Sequence, residues 1–238
     1  MSERYARQIP LIGEDGQRRL AESTVFIAGA GGLGSPVSVY LAEAGVGEIR
    51  IADLDVVDES NLNRQILHPE SRIGMSKAES AKKTLSALNP ECRVVSFAEK
   101  IDADSILRMA EGADLIVDCM DNFETRYILN EASGKLNIPL LHGAVTGFSG
   151  QITLIIPNET PCLSCIFPRA ETTSSAPIIG ASAGVVGSMQ ALEAVRFLIG
   201  KPTLAGKLLL YDGTSNSVDI FSVKKSPRCI VCGETENL

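Results

Sequence analysis

The stretch that decides the fold is TVFIAGAGGLG at residues 24–34, a short apolar run that ends in a glycine-rich turn. Residues 36–44 then carry apolar side chains at helical spacing and stop at Gly45, and residues 48–53 (EIRIAD) have the character of a second strand. A strand, a glycine turn, a helix and a second strand in this order form the opening βαβ unit of a doubly wound sheet. The sequence therefore predicts an α/β, Rossmann-like fold.

The same alternation continues through the middle of the chain and changes after Gly147. Helices are predicted over residues 76–88, 105–110 and 124–136, and strands over 93–98, 115–118 and 139–144. Beyond Gly147, predicted strands at 151–156, 208–211 and 218–223 indicate an antiparallel C-terminal extension, with a long helix at 183–199 between them. We expect a single domain, residues 1–238, with a largely parallel sheet.

Composition excludes several classes of protein. The 238 residues include 22 Lys and Arg against 29 Asp and Glu, a formal charge of −7, so a basic field for nucleic acid is absent. No run approaches the roughly 18 apolar residues of a membrane span. The first eight residues contain no apolar core of a signal peptide. We expect a cytoplasmic protein with reduced cysteines.

The glycine turn predicts a ribose-phosphate ligand. Gly29, Gly31 and Gly34 have the Gly-x-Gly-x-x-Gly spacing that lets backbone N–H groups approach a phosphate at a helix N-terminus. Asp53 follows Gly31 by 22 residues, at the end of the second strand, where a carboxylate accepts hydrogen bonds from ribose hydroxyls. These features alone also fit an NAD-dependent oxidoreductase, so the identity of the ligand stays open at this point.

Two cations follow the acidic end of the second strand. Arg64 and Lys77 come after Asp53, Asp55 and Asp58, and hydride transfer has no evident need for such a cluster. A triphosphate does, because negative charge builds on its oxygens when the α–β bond breaks, and an acidic side chain would hold Mg²⁺. The alternatives are a solvated loop for Asp55 and Asp58, favoured for Asp58, and an ordinary first-turn lysine for Lys77.

Asp121 follows the predicted strand 115–118 and so reaches the carboxyl edge of the sheet, where open α/β sheets bind ligands. It is a candidate for metal or nucleotide contact. The alternative is an N-cap of the helix at 124–136, a common role of aspartate.

Four of the six cysteines form two Cys-x-x-Cys pairs, Cys162/Cys165 and Cys229/Cys232. Four thiolates are the number for a closed, structural Zn²⁺ site, and two pairs favour zinc over a redox disulfide. No ligand position is left open for water, which argues against catalytic zinc. Cys92 and Cys119 are expected to have no special role.

Taken together, these motifs resemble the MoeB/ThiF/HesA group of ubiquitin-activating-like adenylyltransferases. The resemblance is carried, in order, by Arg4-Tyr5-x-Arg7-Gln8, the glycine turn from Gly29 to Gly34, Asp53-x-Asp55, Ser60-Asn61-Leu62-Asn63-Arg64-Gln65, Gly74-Met75-Ser76-Lys77, Asp118-x-x-Asp121-Asn122, both Cys-x-x-Cys pairs and Gly187-Ser188-Met189-Gln190-Ala191-Leu192-Glu193-Ala194. These matches cover nearly the whole chain.

The resemblance implies an ATP-dependent adenylyltransferase. Its substrate would be the C-terminal Gly-Gly carboxylate of a small ubiquitin-like, β-grasp sulfur-carrier protein, which attacks the α-phosphate to give an acyl-adenylate and pyrophosphate. The product would serve molybdopterin or thiamine synthesis, with sulfide or a separate sulfurtransferase as sulfur source. An activating enzyme for a ubiquitin-like protein modifier is the alternative.

Residue roles also follow from the resemblance. Gly32 would contact the nucleotide and Asp53 its ribose, Asp121 would hold Mg²⁺, and Arg7 would come from a partner subunit, which implies a homodimer. The phosphates would be held by Asn61, Arg64 and Lys77. The remaining nucleotide-binding positions are Gly29, Gly31, Gly34, Asp55, Ser60 and Asn122. About residues 20–147 would bind nucleotide, and about residues 148–238 would bind the partner and bring both cysteine pairs to one zinc.

One departure from the family concerns a covalent step. Members that form a thioester or persulfide carry a cysteine in the crossover segment, and residues 169–180 contain none and are expected to be mobile. We therefore expect adenylation without a covalent bond to the carrier. His68 and His142 are expected to be structural. Besides the oxidoreductase, a second rival is a binding subunit without catalysis, against which Arg64, Lys77 and Asp121 argue.

Overall fold

The computed structural model describes residues 3–168, 170 and 177–233. One eight-stranded sheet has the order β3-β2-β1-β4-β5-β6-β7-β8. The strands are β1 (Thr24–Ala28), β2 (Glu48–Ala52), β3 (Arg93–Phe97), β4 (Leu115–Asp118), β5 (Leu140–Thr146), β6 (Ser149–Ile155), β7 (Lys207–Asp212) and β8 (Ser217–Ser222).

The pairing confirms the predicted α/β architecture. Strands β1 to β5 are parallel, and the order reverses on either side of β1, which pairs with both β2 and β4. This reversal is the switch point at which doubly wound sheets open a crevice for ligands. Strands β6 to β8 are antiparallel and continue the same sheet from β5.

Helices cover both faces of the sheet. They are α1 (Ile9–Glu22), α2 (Gly34–Ala44), α3 (Lys77–Leu88), α4 (Ser105–Ala110), α5 (Phe123–Leu136), α6 (Leu163–Ile166) and α7 (Gly180–Leu198). The sequence pattern does not predict helix α1. Gly13 has a non-helical φ of 75° inside it, and this kink interrupts the apolar periodicity by which a helix is predicted.

Strand β1 shows how the core divides into two layers. Val25 and Ile27 pack on one side of the sheet, and Phe26 and Ala28 pack on the other, all four without exposed surface. Alternate side chains of a strand point to opposite faces, so a strand covered by helices on both sides reads as one continuous apolar run.

Helix α7 crosses α2 at close range. A Cβ on Gly187 would lie 2.5 Å from Cγ of Pro36 and 2.9 Å from the carbonyl oxygen of Leu33. The glycine therefore brings α7 against the beginning of α2. Gly184 has no such neighbour within 4 Å among the described residues.

The predicted mobility of the crossover at residues 169–180 falls mostly on residues 169 and 171–176, outside the described part of the chain. None of the helices within the described residues is long and apolar enough to cross a membrane.

Candidate functional site

The candidate site lies at the carboxyl edge of the sheet, where the glycine turn joins β1 to α2. The backbone there is so compact that a Cβ on Gly34 would collide with the carbonyl oxygen of Gly29. The backbone N–H of Ala30 donates to Asp53 Oδ2 at 2.8 Å, and that of Asp55 donates to Asp53 Oδ1 at 2.9 Å. Asp53 thus joins the glycine turn to the end of β2.

The same carboxylate has a perturbed acidity. Burial raises the pKa of Asp53, and the N–H donors of Ala30 and Asp55 and the charge of Lys77 oppose that rise. The structure brings Asp53 to the glycine turn as the sequence spacing predicts, while contact with a ribose stays a prediction.

Lys77 begins α3 with a buried side chain. Its Nζ lies 2.9 Å from Asp55 Oδ2, and its side chain is 8% exposed against 69% for Asp55. The backbone N–H of Lys77 also donates to the Asp55 carbonyl at 2.9 Å. Asp55 therefore neutralises an ammonium that the helix N-terminus would otherwise disfavour. The sequence pattern indicates both residues as site candidates but does not predict their pairing.

Arg64 lies beside Gly32 of the glycine turn. A Cβ on Gly32 would lie 3.6 Å from Cγ of Arg64 and 3.4 Å from Cβ of Ala183. The guanidinium donates at 2.9 Å to the carbonyl of Ser60 and to Oδ1 of Asn63. The aliphatic part of the Arg64 side chain thus packs against the turn, and its guanidinium is bound by the loop that carries it.

Ser60 and Asn61 form a short 3-10 turn in front of Arg64. Asp58 caps this turn and accepts from the backbone N–H and the hydroxyl of Ser60. These hydrogen bonds lower the pKa of the exposed Asp58 carboxyl. Asn61 donates to the Ser60 hydroxyl at 3.3 Å. The favoured reading of Asp58 as a solvated loop residue agrees with this exposed position.

Asp121 is exposed and does not cap α5. The cap is Asn122, whose Oδ1 accepts from the backbone N–H of Thr125 at 2.8 Å. The alternative role of Asp121 as the N-cap is therefore wrong. Asn122 Nδ2 donates to Asp121 Oδ1 at 3.3 Å, so Asp121 stands at the sheet edge beside the residue that caps the helix.

A buried charge network that sequence analysis missed lies behind Asp121. Asp118 is fully buried, with Nδ1 of His142 at 2.6 Å and Nε of Arg126 at 3.7 Å from its Oδ2. Arg126 also donates to the carbonyl of Met120 at 2.6 Å. The strand-end loop that carries Asp121 is therefore anchored from beneath.

The protonation of His142 follows from its contacts. Gln151 Nε2 lies 3.0 Å from Nε2 of His142, and an amide nitrogen can only donate, so Nε2 accepts and Nδ1 carries the proton that goes to Asp118. Burial lowers the pKa of His142, although Asp118 opposes this. A neutral imidazole fits the structural role that sequence analysis assigned to His142.

His68 contacts the glycine turn directly. Its Nε2 lies 2.8 Å from the carbonyl oxygen of Ala30, and its Nδ1 lies 3.0 Å from Ser80 Oγ. From the sequence, His68 is expected only to be structural. The contact joins two residues that are far apart in the sequence, and the position of His68 four residues after Arg64 does not indicate it. No local sequence pattern could therefore have predicted the contact with Ala30.

Arg7 does not join this cluster in its own chain. Its neighbour Gln8 donates to the carbonyl of Ala44 at 2.7 Å, and Tyr5 donates to Glu91, which precedes β3. These contacts lie at the amino edge of the sheet, about 16 Å from the glycine turn along a five-residue strand. The structure thus separates the exposed Arg7 from the other predicted site residues.

The four paired cysteines meet in space. Their sulfurs all lie within 4.8 Å of one another, with Cys162 Sγ 3.5 Å from Cys229 Sγ and Cys165 Sγ 3.4 Å from Cys232 Sγ. Zinc–sulfur bonds of about 2.3 Å in a tetrahedron separate the sulfurs by about 3.8 Å, so this donor set fits Zn²⁺. All four cysteines are free thiols in the structure, and the predicted meeting of the two pairs is confirmed.

The pKa of the Cys229 thiol is lowered within the cluster. Burial raises its pKa, but backbone N–H groups of Cys232 and Val231 and the thiols of Cys162 and Cys165 outweigh burial and bring the pKa to about 7. A thiolate at this position is the form that binds metal.

Residues 5–231 match the family model described as the ThiF family. The chain belongs to the ThiF family. It is 40% identical to the SAMP-activating enzyme E1 of Haloferax volcanii over 98% of this chain and 89% of that protein. It is 41% identical to the sulfur carrier protein adenylyltransferase of Thermus thermophilus over 98% of this chain and 91% of that protein.

Longer proteins share the same ThiF domain. The adenylyltransferase and sulfurtransferase MOCS3 of Drosophila sechellia is 41% identical over 96% of this chain. The match covers 53% of that longer protein. Among solved structures, E. coli MccB with ATP has a TM-score of 0.85 at 26% identity, over 98% of this chain and 75% of that chain. The family expected from the motifs is confirmed.

Proposed function

We propose that this chain is an ATP-dependent adenylyltransferase for a ubiquitin-like sulfur-carrier protein. The observation that carries the proposal is the convergence of the glycine turn, Asp53, Arg64 and Lys77 at one edge of the sheet. The names of the relatives from Thermus thermophilus and Drosophila support the same activity. An NAD-dependent oxidoreductase leaves the two cations and the four cysteines unexplained.

The chemistry needs charge neutralisation more than a nucleophile from the enzyme. A carboxylate oxygen of the carrier's terminal glycine attacks the α-phosphorus, the bond to the β-phosphate oxygen breaks, and pyrophosphate leaves with the electron pair. Arg64 and Lys77 would contact the phosphate oxygens as charge moves onto them. Asp121 would hold Mg²⁺, which when bound neutralises phosphate charge. Asp53 would accept from the ribose.

The substrate protein would dock on the antiparallel half of the sheet. Strand β8 is an edge strand that is exposed along its length, including Val218, Ile220 and Phe221 at 45%, 55% and 52%. An exposed apolar edge strand is a surface for protein association. This supports assigning about residues 148–238 to the carrier and about residues 20–147 to the nucleotide. The four-cysteine zinc would tie the end of the chain to this half.

The proposal includes a homodimer, and the position of Arg7 supports it. Because Arg7 lies at the amino edge of its own sheet, it can act on the phosphates only from a second subunit. Tyr40 on α2 and Leu192 on α7 are 55% and 59% exposed on two helices that pack together, and they offer an apolar surface for such a partner.

The pathway and the covalent chemistry remain part of the proposal. We favour molybdopterin synthesis over thiamine synthesis, in the cytoplasm, with sulfide or a sulfurtransferase supplying sulfur. The relative named as an activating enzyme E1 favours a protein modifier as the alternative substrate. Since residues 169–180 contain no cysteine, we expect no thioester or acyl disulfide, and mass spectrometry of a denatured reaction mixture would reveal one if it formed.

The decisive test is ATP–pyrophosphate exchange with candidate carriers that end in Gly-Gly. We expect Mg²⁺-dependent exchange with one carrier, and none with the same carrier shortened by its last glycine. Asp121→Ala should abolish exchange, whereas Asp104→Ala, at an exposed position that makes no capping hydrogen bond, should not. Stabilisation against heat by NAD but not by ATP with Mg²⁺ would overturn the proposal.

A further inference from the structure

Leu67 and His68, which follow Arg64, lie between the glycine turn and α3. The backbone N–H of Leu67 points to Ser35 Oγ at 3.4 Å, and its carbonyl accepts from Thr84 Oγ1 at 2.7 Å. Leu67 is fully buried and His68 is 4% exposed. This two-residue segment therefore contacts α2 on one side and α3 on the other.

The ends of the His68 ring contact two elements of the site. Ala30 is the residue between Gly29 and Gly31, and its carbonyl oxygen lies 2.8 Å from Nε2 of His68. A carbonyl can only accept, so Nε2 carries the proton. At the other end, Nδ1 is 3.0 Å from Ser80 Oγ, one helical turn after Lys77 on α3.

Both backbone groups of Ala30 are thus held by side chains. Asp53 accepts from its N–H and His68 donates to its carbonyl. Ser80, the partner of His68 Nδ1, is itself held by Arg72, which donates to the Ser80 carbonyl at 2.7 Å and lies 3.3 Å from Ser80 Oγ. The peptide units on both sides of Ala30 are therefore fixed in orientation before any nucleotide arrives.

We propose that His68 is a positioning residue for the nucleotide, which links the glycine turn to α3 through Ala30 and Ser80. The link sets the distance between the phosphate-facing backbone of the turn and the ammonium of Lys77. Backbone N–H donors that already have the right orientation bind phosphate without the free-energy cost of reorienting. Loosening the link should therefore weaken nucleotide binding, although His68 itself does not contact the nucleotide. This inference rests on the proposed function, since it assumes ATP at the glycine turn.

Glutamine and leucine at position 68 separate this role from simple packing. Glutamine Nε2 can occupy the place of the imidazole Nε2 and donate to Ala30, whereas leucine fills similar volume without a donor. We expect His68→Leu to raise the Kd for ATP with Mg²⁺ about tenfold, the loss of one buried hydrogen bond. His68→Gln should stay within about threefold of the unmodified protein. In pyrophosphate exchange the change should appear in KM for ATP rather than in kcat.

A stability control and a second variant complete the test. Ile106→Ala removes a fully buried side chain in α4 that is no part of the link, and it should lower the melting temperature without changing the Kd. If His68→Leu does not fold, Ser80→Ala removes the other end of the link and should raise the Kd about threefold.

Each outcome decides one question. The positioning role is overturned if His68→Leu binds ATP with the same Kd as the unmodified protein. If the leucine variant does not fold, an unchanged Kd in Ser80→Ala overturns it. A glutamine variant as weak as the leucine variant also overturns it. An unmodified protein that binds no ATP would instead overturn the proposed function.

Discussion

The ammonium of Lys77 and the carboxylate of Asp55 lie 2.9 Å apart, with the lysine side chain 8% exposed and the aspartate side chain 69% exposed. A buried cation at a helix N-terminus is unfavourable by itself. Asp55 compensates for it in the free protein, and the phosphates of a bound nucleotide would add a second source of negative charge. The pair therefore connects the stability of the free protein to the binding of its ligand.

Replacing Asp55 by asparagine tests this connection. We expect Asp55→Asn to lower the free energy of unfolding by about 1 kcal/mol without ligand, since the pair is open to solvent on one side. The stabilisation by ATP with Mg²⁺ should then exceed that of the unmodified protein, because the phosphates neutralise an otherwise unpaired ammonium. Urea unfolding with and without ATP measures both effects. Asp104→Asn is the control, and equal ATP stabilisation in both variants would contradict the interpretation.

Mixing two inactive variants tests the position of Arg7. Arg7→Ala and Lys77→Ala should each reduce pyrophosphate exchange at least tenfold, as expected when one cation is removed from a charged transition state. In a mixed dimer, one site has its own Lys77 and receives Arg7 from the other subunit. Mixing should therefore restore about a quarter of the unmodified activity if subunits exchange freely. No recovery from subunits shown to exchange would mean that Arg7 does not act across a dimer.

Removing the metal tests the four-cysteine site. We expect about one zinc per chain by elemental analysis, and loss of it in Cys229→Ser but not in Cys92→Ala. If zinc holds Cys229 and Cys232 to Cys162 and Cys165 as proposed, a strong chelator should lower the melting temperature and expose the chain after β8 to protease. ATP affinity should change little, since the glycine turn is built by other elements. A protein that is zinc-free and equally stable would contradict a structural zinc.

The two histidines predict a dependence of stability on pH. Burial lowers the pKa of both His68 and His142 from the ordinary value of 6.5. Below that value the unfolded chain binds protons that the native protein does not, so stability falls as the pH drops and is regained as it rises. His68→Gln should reduce this slope by up to about 1.4 kcal/mol per pH unit. Urea unfolding at pH 5.5 and 7.5 measures it, and an unchanged slope would show that His68 titrates normally.

Local sequence pattern determined the elements that surround the site. The apolar run of β1, the glycine spacing from Gly29 to Gly34 and the offset of Asp53 predict the βαβ unit, because period, backbone freedom and chain length act between near neighbours. The structure confirms this unit, and Asp53 reaches the turn by a hydrogen bond to Ala30. The helix α1 escaped prediction, since Gly13 breaks the period within it.

Only the tertiary structure decided which distant residues meet. Only the family resemblance implied that Cys162 meets Cys229 across 67 residues, and nothing in the sequence implied that His68 reaches Ala30 across 38, since no spacing rule encodes either contact. Arg7 is near the glycine turn in sequence but at the opposite edge of the sheet in space. Such contacts depend on how whole helices and strands pack. The residue types present therefore predicted a site for phosphate and a site for metal, while the order and crossing of elements decided which atoms compose each one.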